Sequence, residues 1–223
     1  MTSSPQHGAL AIEAHVADTR GAGNAVHSEA TSLDLPDLAM TLISTRQTVL
    51  PKRLQAPGPD ALQVEALFHA AAAAPDHGQI RPWRFVLVAP ERRPALADAF
   101  ALALQTRDAL ATPEQVAQAR EKAFRAPFVA LAIARLGPAE PDIDPLERLV
   151  SLGAALQNML LCAHAMGFAA SLTSGQAMRS QALRDLLLLQ PQEQAVCCLN
   201  VGTATRARAA RPRPVPADFV SCL

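Results

Sequence analysis

Tyrosine is absent from the 223 residues, tryptophan occurs once and phenylalanine seven times, so any core must be mainly aliphatic. Charge of one sign is lacking too: twenty basic residues balance twenty acidic ones, leaving no net field to draw in nucleic acid or an anionic membrane. The four cysteines, Cys162, Cys197, Cys198 and Cys222, have neither the paired spacing of a zinc site nor that of a redox dithiol. They fit buried, unreactive thiols in a reducing cytoplasm. Cys197 and Cys198 are adjacent in an expected strand, so their side chains should point to opposite faces. The longest apolar run, 146–170, is interrupted by Gln157, Asn158 and His164, which marks a buried helix and not a membrane span. No charged-then-apolar signal segment opens the chain.

Several motifs are missing, and each absence excludes a mechanism. No Gly-rich dinucleotide turn or phosphate loop is present, so dinucleotide or ATP binding by those routes is out. There is no nucleophile-elbow serine and no zinc-protease helix. His7, His15 and His27 are too far apart to form a metal site. The local acid–base candidate is the pair Asp76-His77.

What is present is helix-forming Ala and Leu in quantity, interleaved with short strand-like runs. Residues 1–36, rich in Ser, Thr, Gly, Ala and His, read as a flexible extension before a domain over 37–223. The pattern predicts helices near 38–46 and 60–74, the second stopped by Pro75, then a strand over 83–88. Helices over 91–109 and from Thr112-Pro113-Glu114-Gln115, a capping-box opening, precede a strand over 127–133. A long helix over 146–166 ends at Gly167. A strand over 168–173, the turn Ser174-Gly175, a helix over 179–189 and a strand over 195–201 follow. The order indicates an α+β fold, with a mixed or antiparallel central sheet of four to five strands flanked by helices.

Six segments then carry a resemblance. They are Leu42-Ile43-Ser44-Thr45-Arg46-Gln47-Thr48, Ala74-Pro75-Asp76-His77, Pro82-Trp83-Arg84-Phe85, Gly167-Phe168, Ser174-Gly175 and Val201-Gly202-Thr203. In order and spacing they resemble the nitroreductase family, in particular its small bacterial branch, over roughly 38–223.

The resemblance implies an FMN-dependent oxidoreductase that takes hydride from NADH or NADPH and reduces a small conjugated acceptor, nitroaromatic or quinone, in a ping-pong cycle. It implies a homodimer with flavin sites at the interface, and no partner among nucleic acids or membranes. Arg46 matches a phosphate-binding position, with Thr45 and Gln47 beside it. His77 matches a cofactor contact. Leu172, Thr173 and Ser174 match a stretch lying against the flavin ring, and Arg206 or Arg208 a second phosphate cation. Trp83 is expected to pack in the core. No catalytic acid or base and no metal ligand is assigned.

Three departures stand out: Ala73, Gly78 and Thr173 lie where close relatives carry Arg, Lys and Arg. A hydrogen bond to a charged group contributes about 1.5–3 kcal/mol. Arg81 and Arg84 are candidates to compensate. The alternatives are a flavin enzyme with another redox reaction, a relative without flavin that acts as a binding module, and a helical interaction protein with accidental motif matches.

Overall fold

The computed structural model describes residues 34–138, 141–206 and 212–223. Arg208 and the histidines His7, His15 and His27 lie outside the described residues.

Helix α1 spans Leu35–Thr45 and starts inside the segment expected to be an extension, with Pro36 and Asp37 in its first turn. Proline has no N–H to lose there, and a carboxylate suits the positive end of a helix. A short 3-10 turn, Pro51–Arg53, leads into the two-residue strand β1, Leu54–Gln55. Helix α2, Ala61–Ala72, opens on a reciprocal cap: Gln63 N donates to Asp60 Oδ1 and Asp60 N donates to Gln63 Oε1, both at 2.9 Å. It closes before Pro75, as expected.

Strand β2 is Trp83–Leu87, and Trp83 is half-buried against the α2–α5 side of the core. Helices α3, Arg93–Arg107, and α4, Pro113–Glu121, follow. The Thr112–Gln115 capping box at the start of α4 is present in both directions. Strand β3 is Phe128–Arg135, and helix α5 is Pro145–Ala165. Gly167 ends that region with φ +84°, a conformation that favours glycine, while its N–H and that of Phe168 donate to His164 and Ala163 carbonyls at 2.9 Å. Strand β4, Ala169–Thr173, helix α6, Gln181–Leu186, and strand β5, Glu193–Ala204, complete the fold.

All pairings between named strands are antiparallel. Strand β5 pairs with β3, β4 and β1, and β2 pairs with β3. A parallel bridge joins Thr48 to Ala170. On β5 the register slips between Cys197 and Ala195 opposite Ala132 and Ile133, so Val196 bulges.

Two apolar layers follow from the pleat. Val129, Leu131 and Cys198 face α3 and α6, whereas Ala130, Leu199 and Val201 face α2 and α5. Cys197 packs with Ala132 and Leu152 and Cys198 with Val129 and Leu131, so the neighbouring thiols do point apart. Burial pushes them up to about 11 and about 12, respectively, and makes them poor nucleophiles. Among the described residues, no helix is long and apolar enough to cross a membrane.

Candidate functional site

The chain leaves α1 at Thr45 and runs along the outer edge of β4, where Val49 N donates to Ala170 O at 3.1 Å. Thr45, Arg46 and Gln47 therefore share a cavity of about 220 Å³ with His164, Phe168 and Arg206. Thr45 Oγ1 donates to the Thr41 carbonyl at 2.6 Å and lies 2.8 Å from His164 Nε2. A hydroxyl has one proton, so Nε2 of His164 must be the donor in the second bond.

Arg46 differs from the arginines that hold the fold together. Arg93, nearly fully buried, donates to the carbonyls of Val88, Ala123 and Pro127, and Arg148 to those of Ile143, Pro138 and Pro141. Arg46 Nε is buried without a hydrogen-bond partner among the described residues. Burial, and then the nearby Arg213 guanidinium, lower the pKa of Arg46. Arg213 Nη2 in turn donates to the Arg46 carbonyl at 2.7 Å. Among the described residues, the cavity lining contains Arg46 and Arg206 and no carboxylate. Such a site suits a compact anion: it offers positive charge and an unspent N–H donor.

A second cavity, about 670 Å³, lies at the other end of β4, between the sheet and helices α3 and α4, and is lined by Thr173 and Ser174. Thr173 Oγ1 accepts from Asn200 Nδ2 at 3.0 Å. Ser174 Oγ donates to the carbonyl of the bulged Val196 at 2.8 Å. Ala170 lines the first cavity and Thr173 the second, three residues and about 10 Å apart along an extended strand. Leu172 points to the opposite face from Thr173, is 38 % exposed and lines neither cavity.

His77 joins neither group. Its Nδ1 lies 2.8 Å from Glu147 Oε2, near the start of α5, whereas His164 is near the end of that helix. Seventeen residues at a rise of ~1.5 Å put Glu147 roughly 25 Å from His164. Asp76 Oδ2 accepts from Arg81 N at 2.7 Å, which ties it to its own turn.

One expectation is corrected. Arg84 does not compensate for a lost cofactor cation, because its Nε and Nη2 both donate to the Glu193 carboxylate at 2.8 Å. Glu193 is 7 % exposed and is also approached by Arg135, at 3.3 Å. The arginines, led by the hydrogen bond from Arg84, hold this carboxyl down at about 2. It is a structural ion pair at the sheet end.

His164, Arg213 and Asn200 escaped the motif reading. His164 had one signal, as a polar interruption of an apolar helix. Arg213 sits in the Pro- and Arg-rich tail, and nothing local marks Asn200.

These features define an antiparallel α+β layer protein with a cationic anion pocket and a larger half-apolar cavity at opposite ends of one strand. The chain belongs to the nitroreductase family, whose model matches residues 43–203. A provisionally named NAD(P)H nitroreductase of Haemophilus influenzae is 31% identical over 186 residues, covering 83% of this chain and 99% of that protein. The fold is that of a nitroreductase-like family protein from Bacillus cereus, at TM-score 0.69 and 19% identity over 82% of this chain and 94% of the other. A variant of an FMN and NADPH-dependent nitroreductase from a Sphingopyxis strain superposes at TM-score 0.64, with 19% identity, covering 82% of this chain and 98% of its own.

Proposed function

We propose that the chain is an FMN-dependent NAD(P)H oxidoreductase that reduces a small conjugated acceptor, of nitroaromatic or quinone type, by ping-pong hydride transfer. The observation that carries this reading is the buried Nε of Arg46, unpartnered among the described residues, in a cavity whose described lining contains a second arginine and no acid. Those donors fit the phosphate of FMN. The Haemophilus influenzae relative is named for NAD(P)H, and the Sphingopyxis protein is described as FMN and NADPH-dependent, which agrees with it.

Bound FMN would supply the redox centre, and the protein position and charge. Arg46 and Arg206 would neutralise the phosphate dianion. His164 fixes the Thr45 hydroxyl, and Gln47 adds a polar group on the same wall. Leu172, Thr173 and Ser174 form the stretch that would carry the polar edge of the ring. Thr173 cannot replace the charge of an arginine, and its hydroxyl is engaged by Asn200. Recognition there would rest on backbone N–H groups.

The proposal includes a homodimer with sites built from both chains. Helix α1 buries none of its residues, with Leu35 77 % and Met40 62 % exposed, and Phe219 near the C-terminus is 69 % exposed. Apolar surface of this kind fits a second copy. If His77 contacts the cofactor, as the resemblance implies, its distance from His164 requires it to do so across the interface. The four free cysteines fit the reducing cytoplasm.

The test is the visible spectrum of the purified protein, before and after adding FMN and then NADH or NADPH without oxygen. Flavin bands that bleach with the nicotinamide are expected. A colourless protein that takes up no added FMN would mean a family relative acting as a binding module.

A further inference from the structure

We infer that the acceptor is an organic anion, with a planar conjugated body and a carboxylate or comparable group, held in the 670 Å³ cavity between the sheet, α3 and α4. The inference rests on the flavin reading, because this cavity includes Thr173 and Ser174 of the stretch assigned to the flavin ring.

Protein interiors are close-packed, and an opening of this size over a sheet face has the volume of a small-molecule site. Its bed is apolar: Phe100, Val129 and Met178 line it, and each is buried. Stacking on such a bed suits a flat conjugated body. Asn200, 2 % exposed, and Thr173 are polar residues of the same sheet face that also line the cavity.

The rim is cationic. Among the described residues, Lys52, Arg107, Lys122 and Arg125 line it against a single carboxylate, Asp108. Lys52, Arg107 and Lys122 form no ion pair with any described residue. Arg125 pairs with Glu121 at 3.0 Å, but its Nε is buried with no hydrogen-bond partner among the described residues. The chain as a whole is neutral, so this excess of positive charge is local. An apolar floor under a cationic rim selects an amphipathic anion over a neutral molecule of the same shape.

The experiment compares wild type with the double variant Arg107→Gln/Lys122→Gln, whose two side chains are exposed. Acceptors are 4-nitrobenzoate and 4-nitrobenzamide, and naphthalene-2-carboxylate is a non-reducible probe titrated by calorimetry. At low salt the ratio of kcat/KM for carboxylate over amide should be roughly ten in wild type and fall to about one in the variant. Binding of the naphthalene probe should weaken by a similar factor. Flavin that bleaches with NAD(P)H, together with a wild-type ratio of one, overturns this inference and leaves the flavin reading standing. A variant that impairs only the NADPH kcat/KM overturns it as well, assigning the cations to the phosphates of the donor. A protein that takes up no FMN but binds the probe overturns both the flavin reading and the acceptor role, keeping only an anion-binding cavity.

Discussion

Thr45 and His164, 119 residues apart, meet at 2.8 Å and join the end of α1 to the end of α5 at the mouth of the anion pocket. The Thr45 proton is committed to the Thr41 carbonyl, so His164 holds its own proton on Nε2 and donates it to Thr45. Replacing Thr45 by Val removes the acceptor at little change of volume. A net hydrogen bond contributes about 0.5–1.5 kcal/mol. FMN affinity of Thr45→Val should therefore fall roughly 2- to 13-fold in a fluorescence titration. Unchanged affinity would show that the bond does not shape the pocket.

Arg46 has the larger expected effect. Arg46→Gln removes the charge and leaves any bound phosphate facing Arg206 alone among the described cations lining the cavity. FMN should bind at least about tenfold more weakly, since a bond to a charged group contributes ~1.5–3 kcal/mol. Arg46→Lys should restore only part of that, because lysine lacks the planar fork. Circular dichroism should stay unchanged in both variants. An undiminished flavin affinity in Arg46→Gln would place the phosphate elsewhere.

Local chemistry made much of the architecture legible. The Thr112–Gln115 box, the Gly167 cap and the strand-like runs at 83–88 and 195–201 each announced their element. Strand β1 did not, because two residues carry no alternating pattern; its place is set by pairing Leu54 and Gln55 with Ala204 and Thr203. The site divides in the same way. Arg46 could be read from its motif, whereas the role of Arg84 depended on Glu193, 109 residues away. Partners that distant are fixed by the sheet, and no short window of sequence contains both.

The Arg84–Glu193 pair should dominate acid stability at that end of the sheet. The carboxyl titrates near 2 in the folded chain, below its ordinary value of 4.5. A depressed folded-state pKa stabilises the fold above the unfolded value and is lost as pH falls through the folded value. The stability gap between wild type and Glu193→Gln should thus be full above pH 4.5, shrink below it and close near pH 2. Breaking one side of a buried pair costs about 3 kcal/mol. Urea unfolding at pH 7 and pH 3 checks both the size and the sign; a gap that widens in acid contradicts the assignment.

The 25 Å estimated between Glu147 and His164 gives the dimer proposal its sharpest test, because it decides which chain supplies His77. In the proposed arrangement a complete site takes Arg46 from one copy and His77 from the other. Arg46→Gln and His77→Ala should each lose flavin affinity alone, and both should sediment as dimers. Unfolding and refolding an equal mixture makes half the dimers mixed, and each mixed dimer contains one site with both side chains intact. About a quarter of the wild-type number of tight flavin sites should then reappear, counted by titration of bound FMN. A site built within one chain recovers none, since neither variant chain has both residues. Recovery near a quarter would assign His77 to the opposite subunit, and no recovery would return it to its hydrogen bond with Glu147 as a purely structural contact.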